Sequence, residues 1–316
     1  MGANSLISIC IPAYKNVAFL KRLLGSIAIQ DFRDFEVIVS DDSSNGEVGH
    51  LCSQYESSFP LRYFRNEQPL GTPENWNAAI RKATGSWIKL MHDDDWFADK
   101  ESLAEFARAV TDHPGTDFIF SAYRDIFLDE DRSREMLVNP RRYKAFLRNK
   151  TVLFGKNIVG PPSVTLYRND GRTFYDKTVK WVVDIDFYIR YLIGREPVYI
   201  RKVLVNVGLG KEQVTRDCFH QRPVEIPENF YLLNKVGAVN LRNVLVYDAW
   251  WRLMRNLEIQ SEQDIRESGY SGEIPSVILS MVRWQKALPR SIWKNGICSK
   301  TGMMLNYIFN LFKMPS

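Results

Sequence analysis

Two patterns alternate over the first 125 residues: short apolar runs, and stretches with apolar side chains every three or four positions. Residues 6–11 are almost wholly apolar, as in a strand covered on both faces, and Pro12 is expected to end that strand. Asn16 reads as a helix cap, after which Leu20, Leu23, Leu24 and Ile27 recur at helical spacing. Residues 35–39 form a second buried strand, closed by the polar turn at 41–46. A short strand is expected at 61–64. Thr72 and Pro73 open a helix that Gly85 closes, and 87–91 is the next strand. That strand runs directly into His92, Asp93, Asp94, Asp95 and Trp96. Asp99 then caps a helix carrying Leu103, Phe106 and Val110, and 117–123 is again a strand.

Such alternation predicts an α/β fold, a parallel sheet with helices on both faces. Ligands of such sheets bind beyond the carboxyl ends of the strands. Tyr14, the pair Asp41 and Asp42, and the run Asp93–Asp95 all fall at those ends, so three polar clusters are expected to converge on one edge. From 124 to 220 the pattern is less regular. Arg132, Arg134, Arg141, Arg142, Lys144, Arg148 and Lys150 read as a solvated basic surface. Gly160, Pro161 and Pro162 mark a turn before a strand at 163–167, with a helix at 181–192 and a strand at 198–207. Beyond Pro223 and Pro227 the spacing is helical, over 230–259 and 277–288. The expected division is therefore 1–220, the sheet domain, and 221–316, a helical C-terminal region.

Composition narrows the class. The 316 residues are 45% hydrophobic and 25% charged, an ordinary globular profile. A net charge of +5 is too small a bias to suggest nucleic-acid binding. No run of about 18 apolar residues would cross a bilayer, and the first residues show neither a secretory signal nor a myristoylation pattern. Cys10, Cys52, Cys218 and Cys298 form no CxxC pair, so free thiols in a reducing cytoplasm are expected rather than a zinc site.

Three adjacent carboxylates at a strand end repel one another, and a divalent cation such as Mg²⁺ or Mn²⁺ would offset that repulsion. The competing reading of Asp93–Asp95 is a solvated acidic turn. Asp41 and Asp42 suit either an Asx turn or hydrogen bonds to a pyrimidine ring or ribose, and Tyr14 either stacks on a base or merely packs. No G-x-G-x-x-G or P-loop follows a strand, which removes the main support for dinucleotide and P-loop readings.

The blocks Ile11-Pro12-Ala13-Tyr14-Lys15-Asn16, Phe35 to Ser44, Asn75-Trp76-Asn77 with Gly85, and His92 to Trp96 resemble family 2 glycosyltransferases. The order and spacing of all four match over about residues 5–125, and less tightly to about residue 215 through Gly160 to Ser163 and Asp184 to Arg190. The resemblance implies a GT-A nucleotide-sugar-binding fold, a mostly parallel Rossmann-like sheet flanked by helices, and an inverting reaction. It implies that Pro12, Ala13 and Tyr14 line the nucleotide pocket, that Asp42 or Asp41 binds the uracil or thymine ring, and that Asp93 lies near the ribose. Asn77 falls in a donor-binding block. Asp94, with Asp95, matches the metal-binding D-x-D segment; Asp93 with Asp95 also satisfies its spacing, and His92 stands where many members have Asp. Asp184 matches the catalytic base.

Two further readings rest on the residues themselves. Gly208 and Gly210 suit a lid that brings Lys211 and Arg216 over a diphosphate, though both cations also read as surface charges. The last 43 residues hold six basic residues and no acidic one, interleaved with Trp284, Trp293, Tyr307, Phe309 and Phe312. That mixture suits either an anionic membrane surface or a helix docked on the catalytic domain. The expected protein is a metal-dependent (Mn²⁺ or Mg²⁺) inverting glycosyltransferase in the cytoplasm, peripheral at the inner face of the membrane. Its donor is a nucleotide-sugar, with UDP-sugar the expected one, and its acceptor a saccharide or lipid-linked saccharide. The rivals are a nucleotidyltransferase and a non-catalytic nucleotide-sugar or partner-binding module on the same fold.

Overall fold

A computed structural model describes residues 6–210, 220–312 and 314. The chain divides into two compact units. The first comprises Met1–Tyr143, Ile158–Thr178 and Arg190–Gln213, and the second Lys144–Asn157, Val179–Ile189 and Val214–Ser316. Lys211 and Arg216 lie outside the described residues.

The first unit is built on a nine-stranded sheet: β1 (Ile7–Ala13), β2 (Phe35–Asp41), β3 (Leu61–Arg65), β4 (Trp87–Leu90), β5 (Trp96–Phe97), β6 (Phe118–Phe127), β7 (Arg132–Met136), β8 (Thr165–Arg168) and β9 (Val198–Leu209). Its order is β3-β2-β1-β4-β8-β6-β9-β5, with β7 paired to β6. Strands β1 to β4 pair in parallel, as the alternation predicts. Beyond β4 the sheet is mixed: β8 runs antiparallel to β4 and β6, β5 antiparallel to β9, and β6 parallel to β9. Helices α1 (Val17–Ala28), α2 (Glu47–Ser53), α3 (Glu74–Arg81) and α4 (Ser102–Asp112) connect the first strands.

Every residue of β1 and β2 is buried, which explains their unbroken apolar runs. Asn16 caps α1, accepting from Phe19 N at 3.1 Å, and Leu20, Leu23, Leu24 and Ile27 all face the core. Pro12 does not end β1. The β4 ladder stops at Cys10, whose carbonyl takes the Met91 N–H, so Pro12 has no β4 partner that would require its missing donor. Gly85 is needed for close approach: a Cβ there would meet Ser8 Oγ at 2.7 Å and Ser8 N at 2.8 Å. Helix α3 begins after Pro73, one residue later than expected.

The second unit contains α5 (Pro140–Arg148) in part, α6 (Val183–Tyr191) for most of its length, α7 (Arg222–Val236), α8 (Val244–Asn256), α9 (Glu262–Glu267), α10 (Ser276–Lys286), α11 (Arg290–Lys294) and α12 (Gly296–Asn310). The helical spacing over 230–259 is not one helix. Gly237, at φ +90°, ends α7, and Asn243 caps α8 by accepting from Leu245 N. Phe230, Trp250, Trp251, Met254, Ile278 and Met281 are among the residues of this unit's core.

Candidate functional site

The carboxyl ends of β1, β2 and β4 lie side by side in the sheet, and the polar residues that follow them are linked. Asp42 N donates to Ala13 O at 3.0 Å, and Tyr14 N to Asp93 Oδ2 at 3.4 Å. Pro12 and Ala13 are buried beneath this edge, whereas the Tyr14 ring is 52% exposed with Lys15 Nζ 4.7 Å from its centroid. Tyr14, Asp42 and the 92–95 turn are thus brought together.

Asp41 and Asp42 differ in what they hold. Asp41 is fully buried; its carboxylate accepts Ser43 N at 2.8 Å and the Tyr63 hydroxyl at 2.7 Å, closing an Asx turn. Asp42 Oδ1 accepts Asn66 Nδ2 (2.8 Å) and Leu70 N (3.0 Å), and Oδ2 accepts Gly71 N (2.8 Å). A carboxylate offers about four lone-pair sites, so Oδ2 retains acceptor capacity. Asn77 is committed elsewhere: its amide both donates to and accepts from the Tyr175 backbone, each at 2.9 Å.

The 92–95 turn carries the site's densest chemistry. One donor atom each from His92, Asp94 and Asp95 lies within 4.8 Å of the others. Burial and the neighbouring Asp94 raise the Asp95 pKa well above the ordinary carboxylate value and push Asp93 up to about 7. Burial lowers the His92 pKa, with Asp94 opposing, and so favours a neutral, ligand-ready ring. His92 Nε2 is buried without a hydrogen-bond partner among the described residues. A buried imidazole nitrogen lacking a partner, beside desolvated carboxylates, is a donor set that fits a divalent cation.

Several residues that the sequence did not tie to this turn shape it. Arg22 Nη2 donates to Asp94 O at 2.8 Å, while its guanidinium lies 3.7 Å from the Trp96 ring centroid. On a helix, Arg22 reads as any solvated charge. Gly208, expected in a lid, is instead part of β9: its N–H donates to Asp95 Oδ1 at 3.1 Å, and a Cβ there would sit 2.4 Å from Asp94 O. Ser163 Oγ accepts His92 N at 3.0 Å. Lys89, fully buried on β4, donates to the carbonyls of Ser163 and Thr165 and lies 4.3 Å from the Phe106 ring; burial drives its pKa well down.

Asp184 and Asp186 belong to the second unit, in the first turn of α6. Asp186 is fully buried and paired with Lys235 Nζ at 2.6 Å. Asp184 is half-buried, its carboxylate has no hydrogen-bond partner among the described residues, and loss of water alone raises its pKa to about 7. The two carboxylates two positions apart therefore have different fates, one sealed in an ion pair and one left available.

The fold is that of a GT-A glycosyltransferase domain with a helical C-terminal region. The profile of glycosyl transferase family 2 matches residues 8–171, and the chain belongs to that family. An uncharacterized glycosyltransferase of Haemophilus influenzae is 32% identical over 115 residues, covering 36% of this chain and 38% of the relative. The first curated relatives are matched over 63%, 38% and 54% of their lengths, so the chain covers less than two thirds of each. In structure, the chain is similar to Staphylococcus aureus TarS 1–349 in complex with UDP-GlcNAc (TM-score 0.62, 17% identity, 96% of this chain and 89% of that one). It is also similar to a Pyrobaculum calidifontis mannosyltransferase in complex with GDP-Man and Mn²⁺ (TM-score 0.55, 13% identity, 98% and 88%).

Proposed function

We propose that this protein is an inverting, metal-dependent glycosyltransferase that moves a sugar from a UDP-sugar to a hydroxyl of a saccharide or lipid-linked saccharide. Its setting would be polysaccharide assembly at the inner face of the cytoplasmic membrane. The observation that carries the reading is the group His92, Asp94 and Asp95 beside Tyr14 and Asp42 at one sheet edge of a family 2 fold. The complexes of the two structural neighbours with UDP-GlcNAc and with GDP-Man and Mn²⁺ support it.

Tyr14 stacks on the base over the wall of Pro12 and Ala13, and Asp42 uses the spare capacity of Oδ2 for the ring N–H. Asp93 takes the ribose. Asp41 and Asn77, with their bonds already made, hold the pocket's shape rather than touch the donor. His92, Asp94 and Asp95 hold Mn²⁺ or Mg²⁺, and a nitrogen in the set favours Mn²⁺ because Mg²⁺ prefers oxygen ligands. When bound, the cation offsets the charge that develops on the leaving diphosphate.

Asp184 is the general base. It takes the proton of the acceptor hydroxyl as that oxygen bonds to the sugar's C1; the bond from C1 to the phosphate oxygen breaks and the nucleoside diphosphate leaves with its electron pair. One displacement inverts the configuration at C1. A pKa near 7 suits a base working near neutral pH.

The test is thermal unfolding with UDP, with and without Mn²⁺, followed by sugar-transfer assays on Asp184→Asn. The expected result is stabilisation by UDP only when the metal is present, and transfer reduced by about 10²-fold or more in a variant that still binds UDP. Indifference to every nucleotide would overturn the reading. Retained nucleotide binding with no transfer by the unaltered protein to any saccharide acceptor would favour the non-catalytic module.

A further inference from the structure

Helix α12 is built inside out. Its buried positions are Ser299, Gly302, Met303, Asn306 and Asn310. Asn306 accepts the Tyr247 hydroxyl at 2.5 Å and donates to Ser280 Oγ at 3.1 Å, and Asn310 donates to the same Oγ at 3.0 Å. Ser299 Oγ receives Trp251 Nε1 at 3.1 Å and Arg255 Nη1 at 2.7 Å. Gly302 is needed where α12 meets Trp293, because a Cβ there would lie 2.4 Å from that ring. The outward face carries Ile297 (79% exposed), Leu305, Ile308 and Phe309, with Phe312 (95% exposed) just beyond the helix.

A helix that turns its amides inward and its isoleucines outward is matched to an apolar medium, not to water. Beside the outward face runs a groove of about 840 Å³ whose lining includes Trp284, Leu288, Ile292, Leu305 and Phe309. The segment that lines it carries charge of one sign. Residues 274–316 hold six Lys or Arg and no Asp or Glu. Lys300 pairs with Asp248 at 3.1 Å, while Arg283, Lys286 and Lys294 are exposed and have no ion pair among the described residues. A second copy docked face to face would set these cations against their own equivalents, whereas anionic headgroups complement them.

We infer that α10, α11 and α12 form a docking surface for an anionic phospholipid bilayer. The α12 face and the Trp284–Phe309 groove enter the acyl boundary, and Arg283, Lys286 and Lys294 lie at phosphate level. This does not depend on sugar transfer, and its test uses none.

The experiment is co-sedimentation of the full chain with vesicles of phosphatidylcholine alone, and of phosphatidylcholine with a third of phosphatidylglycerol. The protein should pellet with the anionic vesicles and bind the neutral ones at least about fivefold more weakly. The double variants Ile308→Ser/Phe309→Ser and Arg283→Glu/Lys286→Glu should each lower binding by about tenfold at an unchanged Tm, since all four side chains lie outside the core apart from the partly packed groove wall at Phe309. Should a double variant fail to fold, Phe312→Ser makes the same comparison at an almost fully exposed side chain. No pelleting with anionic vesicles, or pelleting that neither variant weakens, would overturn the inference. So would a dimer in sedimentation velocity that Ile308→Ser/Phe309→Ser dissociates without vesicle binding, which would assign the face to a second copy.

Discussion

At Asp184 the loss of water lifts a carboxylic acid from 3.8 to about 7, with no hydrogen bond or cation among the described residues to oppose it. Transfer should therefore rise with pH along an acid limb centred near 7, as the base loses its proton. Stability should move the other way. Between about pH 4 and 7 the native state holds a proton that the unfolded chain has released, so folding weakens as pH rises through that window. Asp184→Asn removes this dependence: its Tm relative to the unaltered protein should climb from pH 4 to pH 8 while transfer disappears. At the metal group, His92→Ala should weaken Mn²⁺-dependent UDP binding by about tenfold or more in isothermal titration, with smaller effect on metal-free binding. Much of this scale was legible. Tyr14, Asp42 and Asp93–Asp95 stand out because each follows an apolar run. The bonds of Asp42 to Asn66, Leu70 and Gly71 were not, since those partners are 24 to 29 residues away and carry no pattern pointing to it.

Elements show the same division between local and distant causes. Strands β1, β2 and β4 and helix α1 follow from period and capping alone, which is why the site's edge could be anticipated. The antiparallel insertion of β8 between β4 and β6 could not, because strand partners are chosen across the fold. Strand β5 is only two residues long and offers no period to read. The break at Gly237 is hidden because apolar spacing continues across it. Strand β9 gives the clearest test of one element supporting another. Gly208→Ala would drive a methyl group against Asp94 O and separate β9 from the acidic turn. The expected loss is about 1–3 kcal/mol in denaturant unfolding, with weaker Mn²⁺ affinity as Asp95 loses its backbone donor. Gly115→Ala, with nothing within 4 Å of the added carbon, should be nearly neutral in both assays.

Over the whole molecule, charge is less even than its total suggests. Of 42 basic residues six fall in the last 43 positions, and the remaining 36 stand against all 37 acidic ones. Vesicle binding should accordingly fall several-fold between roughly 50 and 300 mM NaCl, because the attraction works over about a Debye length. No helix among the described residues is long and apolar enough to cross a membrane. The composition of the tail was readable from the sequence; the inversion of α12 was not, since it depends on Tyr247, Trp251 and Ser280 receiving its amides and hydroxyl. The units also interleave along the chain, and no local pattern marks segments 144–157 and 179–189 as belonging with the C-terminal helices.

Lys89 offers a gauge of how the sheet opens. Its amine is sealed from solvent and held by two carbonyls, and the burial that lowers its pKa also keeps reagents away. Acetic anhydride should therefore tag surface lysines within seconds and spare this one until the strands part. Mass spectrometry of that single tryptic site would then time the opening of the layer beneath the acidic turn, with no dye and no added chromophore.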